Sequence, residues 1–138
     1  MPVEKIIHGN KVLAMVIRQE PMGEGIQFYT PDANTLQAGK HYHPAGKIIK
    51  PHRHYPVKRE TTGSLQEVLY IEEGKVKVTF YADEGREIDS KELVKGDMIL
   101  LIEGGHGFEF LEKTRMIEIK EGPYMPESKK PLDVKDKR

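Results

Sequence analysis

Glu67-Val68-Leu69-Tyr70-Ile71-Glu72-Glu73-Gly74-Lys75-Val76-Lys77-Val78-Thr79-Phe80-Tyr81 is the stretch that decides the fold. Its second half alternates without a break. Val76, Val78 and Phe80 fall on one side, and Lys75, Lys77 and Thr79 on the other. A period of two means a strand with one buried face. Gly74 interrupts the run at a tight connection, so the two halves read as a hairpin. Working outward, Met98 to Ile102 and Lys11 to Arg18 are short, almost wholly apolar runs. Their length suits strands buried on both faces. The residues around Gly25–Thr30, Leu36–His43, Ile48–His54, Glu87–Leu93, His106–Leu111 and Arg115–Lys120 also read as strands. Turn chemistry separates them: Pro31-Asp32, Pro44-Ala45-Gly46, Asp83-Glu84-Gly85, Gly96-Asp97, Gly104-Gly105. No segment sustains a 3.6-residue apolar period. Short strands punctuated about every 8–12 residues mean an all-β sandwich or barrel.

The chain has 138 residues, which suits one domain with one core. After Gly122 the composition turns to proline and lysine. The expectation is a single domain over residues 1–122 and a C-terminal tail over 123–138, with 127–138 frayed. No run approaches the roughly 18 apolar residues of a membrane helix, and the N-terminus lacks the apolar core of a secretory signal. There is no cysteine, hence no disulfide or thiolate ligand. A cytoplasmic protein is expected.

Acidic and basic residues balance at 22 each, so no global charge calls for nucleic acid or a membrane surface. The distribution is uneven. Between Asp32 and Glu60 there is no acid, while Lys40, Lys47, Lys50, Arg53, Lys58 and Arg59 all fall there. So do His41, His43, His52 and His54. Ordinary solvated surface charge accounts for much of this, but a basic setting beside a site favours an anionic ligand.

His52 and His54 are two apart, so on a strand both imidazoles share a face and Arg53 points away. Glu67 shares its face with Leu69 and Ile71. A carboxylate on an apolar face is costly unless paired or metal-bound. His106 shares a face with Phe108 and Phe110, and Glu109 faces away. A second pair, His41 and His43, could line the pocket, support the ligands from behind or face solvent, and the latter two are favoured. A lone His-x-His is more often a surface feature than a ligand pair. The order of residues offers no Ser-His-Asp nucleophile elbow, no phosphate-binding glycine loop and no nucleic-acid motif.

These spacings resemble the cupin family. Gly46, five residues, His52-x-His54 matches the first half of its first motif, and Glu67, six residues, Gly74 matches the second. Twelve residues, 55–66, separate the halves where the family has a much shorter spacer. The second motif is degenerate. Gly96-Asp97, Gly104 and His106 are present, Ile102 replaces a proline, and Phe110 stands where the family has asparagine. The resemblance implies a double-stranded β-helix, the jelly-roll barrel. It also implies one divalent transition metal (Fe, Mn, Ni, Co or Zn) held by His52, His54, Glu67 and His106. The expected function is a metal-dependent enzyme of isomerase, epimerase or oxygenase type, acting on a small anionic or carbohydrate-type substrate. Glu67 would be the catalytic group if it is not a tight ligand, and Arg53, Lys58 and Arg59 the rim that recruits an anion. A homodimer is expected. The alternative is a non-catalytic cupin that binds or senses a metal or sugar.

Overall fold

The computed structural model describes residues 2–56, 65–121 and 130–135. It carries ten strands and, among the described residues, no helix: β1 (Val3–His8), β2 (Lys11–Ile17), β3 (Gly25–Phe28), β4 (Gly39–Tyr42), β5 (Glu67–Glu73), β6 (Lys75–Tyr81), β7 (Glu87–Val94), β8 (Met98–Leu101), β9 (Gly105–Phe110) and β10 (Arg115–Lys120). The chain is therefore all-β, and every pairing is antiparallel. It divides into two compact units, Met1–Gln19 with Leu65–Arg138, and Glu20–Ser64.

The first unit holds two sheets. One has five strands in the order β1-β2-β8-β5-β10, the other three in the order β7-β6-β9. Both contribute to one core: Ile6, Leu13, Ala14, Val16, Leu69, Ile71, Ile99 and Leu101 from the first, and Val76, Val78, Phe80 and Leu93 from the second. This is a β-sandwich, an arrangement compatible with a jelly roll. The alternation read in Lys75–Tyr81 is realised residue for residue, with Val76, Val78 and Phe80 at most 1% exposed. The apolar run of β2 is likewise covered on both faces within the chain, since Leu13 through Ile17 are all buried. β1 carries its apolar residues too sparsely to be read from sequence. It is pinned by pairing along β2, from Val3 opposite Ile17 to His8 opposite Lys11.

The hairpin expected of β5 and β6 is not formed. β5 pairs with β8 and β10, and β6 with β7 and β9, so the two strands lie in different sheets. The reason is the single-residue connection. A two-residue loop is the shortest common hairpin turn. Gly74, at φ +97°, instead swings the chain across the sandwich. A β-carbon there would run into the Lys113 carbonyl and lie 2.6 Å from Thr114 Oγ1. The β9–β10 connection thus packs directly against the β5–β6 connection. Leu111 N donates to Lys75 O at 2.9 Å, and Thr114 Oγ1 does so at 3.2 Å.

An ion network holds one end of this unit. Arg18 Nε donates to Glu4 Oε2 at 2.6 Å and Arg18 Nη1 to Asp97 Oδ2 at 2.8 Å, and Lys91 Nζ lies 3.4 Å from Glu4. The hydrogen bond from Arg18 holds the Glu4 carboxyl below its ordinary value, against the opposing effect of its partial burial. Glu4 therefore binds fewer protons folded than unfolded. Its contribution to stability is complete above the unfolded carboxylate value and is lost as pH falls through the lower folded value. Thermal melts between about pH 6 and pH 3 should show the wild type losing Tm more steeply on the acid side than Glu4→Gln.

Residues 130–135 of the expected tail are placed against the first unit. Lys135 N donates to Gly85 O at 3.0 Å, and the Leu132 side chain lies beside Gly105. The second unit is built on β3 paired with β4, Ile26 opposite His41 and Phe28 opposite Gly39. The loop between them is organised by Gln37, whose Nε2 donates to the carbonyls of Pro31 and Asn34 at 3.0 and 2.8 Å. Residues 47–56 form no strand, contrary to the reading of Ile48–His54. Pro51 and Pro56 remove ladder donors from this segment.

Candidate metal centre

Glu67 opens β5 and stands directly opposite Leu101 on β8 and Lys120 on β10. Directly opposed residues of an antiparallel pair share a face. Glu67 is thus on the inner face of the five-stranded sheet, in the row of Leu69 and Ile71, as the alternation predicts. His106 on β9 stands opposite Phe80, Phe108 opposite Val78, and Phe110 opposite Val76. The aromatic row of β9 therefore faces inward as well. Its rings follow one another at 5.6 Å (His106–Phe108) and 6.5 Å (Phe108–Phe110) between centroids. Both candidate ligands belong to the same end of the sandwich, where β5 and β9 begin and β8 and β10 finish. β9 and β10 are the outer strands of their sheets. Phe110 is accordingly 55% exposed despite facing inward.

His52 and His54 lie in the second unit. Without a strand, their rings are still adjacent, with centroids 5.2 Å apart at 71°. His52 Nδ1 lies 3.0 Å from the Lys50 carbonyl oxygen. A carbonyl only accepts, so Nδ1 carries a proton, and the neutral ring in this tautomer has its lone pair on Nε2. A histidine prepared to bind a metal makes this kind of contact, since ligating imidazoles hand their other N–H to a carbonyl or carboxylate. Arg53 lies over the Tyr55 ring, 4.8 Å from its centroid. Lys58, Arg59 and most of the 55–66 loop lie outside the described residues. His41 Nδ1 and His43 Nε2 are 3.1 Å apart, a mutual hydrogen bond in which one ring donates and the other accepts. Among the described residues no group of three or more His, Asp or Glu side chains is gathered as a metal cage. The donors are of the right kind for a borderline divalent ion, neutral imidazole and carboxylate.

The motif spacing gave no sign of Glu118 and Lys120. Both share the inner face of β10 with Met116, because Glu118 stands opposite Leu69 and Lys120 opposite Glu67. Their side chains form an ion pair at 3.6 Å. Separately, a cavity of about 300 Å³ sits among the β1–β2, β6–β7 and β8–β9 turns, lined by His8, Lys11, Asp83, Glu84 and Glu103 among others. It contains none of the candidate ligands.

Comparisons with protein families, with curated proteins and with solved structures gave no match. Among the described residues no helix is long and apolar enough to cross a membrane.

Proposed function

We propose that this protein is a cupin-type metalloprotein. His52, His54, Glu67 and His106 hold one divalent transition metal, and the protein acts as an enzyme on a small anionic or carbohydrate-type molecule. The observation that carries the reading is that Glu67 and His106, singled out in the sequence, stand in the inner rows of the two sheets, opposite Leu101 and Phe80. A bound divalent ion would act there as a Lewis acid towards substrate oxygens. The residues do the rest. The Lys50 carbonyl fixes the His52 tautomer, the β9 rings give one side an apolar lining, and Glu67 either ligates or moves a proton. The homodimer proposed with this reading has an apolar surface to use, because Tyr70, Ile117 and Ile119 on the outer face of the five-stranded sheet are 42%, 46% and 63% exposed.

Elemental analysis of the purified protein tests the reading. One divalent transition metal per chain is expected. Dialysis against a chelator should remove it and lower Tm, and adding the same metal back should restore both. A protein that is metal-free as purified, with a Tm indifferent to chelator and to added Mn, Fe, Co, Ni or Zn, would refute it.

A further inference from the structure

His41 and His43 play no part in the centre proposed above, yet the fold brings them together. His41 lies on β4 opposite Ile26 of β3, His43 follows two residues on, and the two rings stand side by side with centroids 5.3 Å apart. Lys40 belongs to the other face of β4, with its Nζ 6.0 Å from the Tyr29 ring centroid, so its ammonium charge is turned away from the pair. β4 is held at both ends. The Phe28 ring packs on Gly39, where a β-carbon would lie 2.8 Å from Cδ1, and Lys47 N donates to Pro44 O at 3.2 Å in the turn that follows. His41 Nδ1 and His43 Nε2 are 3.1 Å apart. Two nitrogens bound to one transition metal at about 2.0–2.1 Å, at an angle between the octahedral and tetrahedral values, stand about 2.8–3.4 Å apart. The observed spacing is therefore that of a chelate. Without an ion, a proton bridges the two nitrogens. With one, both lone pairs turn to the metal, and His41 Nε2 and His43 Nδ1 keep their hydrogens.

We propose that His41 and His43 form a second metal site, a two-imidazole chelate for a late first-row divalent cation, with Cu(II) preferred over Ni(II) and Zn(II). Water completes the coordination. The site shares no residue with His52, His54, Glu67 and His106 and stands independently of them. Two protein ligands hold an ion less tightly than four. The site therefore fills from added metal and empties on desalting, and the single ion expected of the purified protein belongs to the other centre.

Titration of the chelator-treated, full-length protein with copper(II) chloride tests this, in a His52→Ala/His54→Ala background so that the other His-x-His pair cannot chelate. Calorimetry reads the affinity, and electron paramagnetic resonance reads the bound nitrogens. One equivalent is expected, with two nitrogen ligands. Adding His41→Ala or His43→Ala should weaken binding by about tenfold or more and leave one nitrogen. Tyr42→Ala changes an exposed side chain on the opposite face of β4 and should leave the affinity as it was. Nickel(II) and zinc(II) should bind more weakly than copper(II), and magnesium(II) not measurably. Absence of saturable copper binding, an affinity indifferent to His41→Ala, or an equal loss in Tyr42→Ala would each overturn the proposal. Elemental analysis of His41→Ala as purified keeps the two centres apart. Its metal content should match the wild type's, and a loss would overturn the second site by assigning His41 to the first. A wild type that carries no metal as purified, yet binds copper through His41 and His43, would sink the first centre alone.

Discussion

His106→Ala is expected to strip the protein of metal while leaving it folded. His106 is exposed on an outer strand, so its removal opens no core cavity. Loss of one of four ligands should weaken binding by on the order of 100-fold or more, beyond what loss of a supporting contact costs. A ligand at a hundredfold excess over its Kd stabilises the folded state by about 2.7 kcal/mol. For a domain of this size that corresponds to roughly 10 °C in Tm. The variant should therefore melt that much lower than the metal-loaded wild type and at the same temperature as the chelated wild type. Glu109→Ala is the natural comparison. Glu109 stands opposite Lys77 on the outward face of the same strand, and its removal should alter neither metal content nor Tm.

Asp97→Ala is expected to cause the largest loss of stability among the polar substitutions, about 3–5 kcal/mol. Asp97 is 3% exposed. Oδ2 accepts from Arg18 Nη1 at 2.8 Å and from Val94 N at 2.8 Å, and Oδ1 accepts from Gln19 N at 3.3 Å. Truncation removes the acceptor of these donors in a site that water reaches poorly, and it takes one carboxylate away from the guanidinium, which also donates to Glu4 and to the Glu92 carbonyl. Asp97→Asn keeps an acceptor and should cost about half as much. Because a domain holds only about 5–15 kcal/mol in total, chemical denaturation should place the Asp97→Ala midpoint far below the wild type. The Gly96-Asp97 pair that resembled a cupin motif is thus a structural joint. Gly96 takes φ +91°, and its N–H donates to Ile71 O at 2.8 Å, while Asp97 ties β2 to the β7–β8 turn.

The alternation of Val76, Val78 and Phe80 was legible because one face of β6 is buried and the other wet. β10 was not legible in the same way. Ile117 and Ile119 outnumber the single Met116 among its apolar residues, and hydropathy alone turns the two isoleucines inward. In the structure they face outward, and Met116, Glu118 and Lys120 take the inner row. The five-stranded sheet is apolar on both faces, as the burial of both Val16 and Ile17 shows, so a period of two gives the pairing of faces without saying which is inside. The connection between β5 and β6 failed for a related reason. Gly74 marks a reversal, but whether a one-residue turn closes a hairpin or crosses to another sheet depends on what packs behind it, here Lys113 and Thr114. Among the site residues, Glu67 and His106 were readable as polar residues in apolar rows. His52 and His54 were readable only as a pair, since their segment has no strand to fix a face. That Lys120 stands opposite Glu67 was not readable, because it requires a register that sequence does not supply.

The most direct test of the metal centre is an anomalous difference map from a crystal of the protein as purified, collected at the absorption edge of whichever metal elemental analysis finds. The expected result is one peak per chain, about 2.0–2.3 Å from nitrogen atoms of His52, His54 and His106 and from a carboxylate oxygen of Glu67. At His52 the bound atom should be Nε2, with Nδ1 still donating to the Lys50 carbonyl. A map with no peak, or with its peak on His41 and His43 and none of the four named residues, would contradict the account.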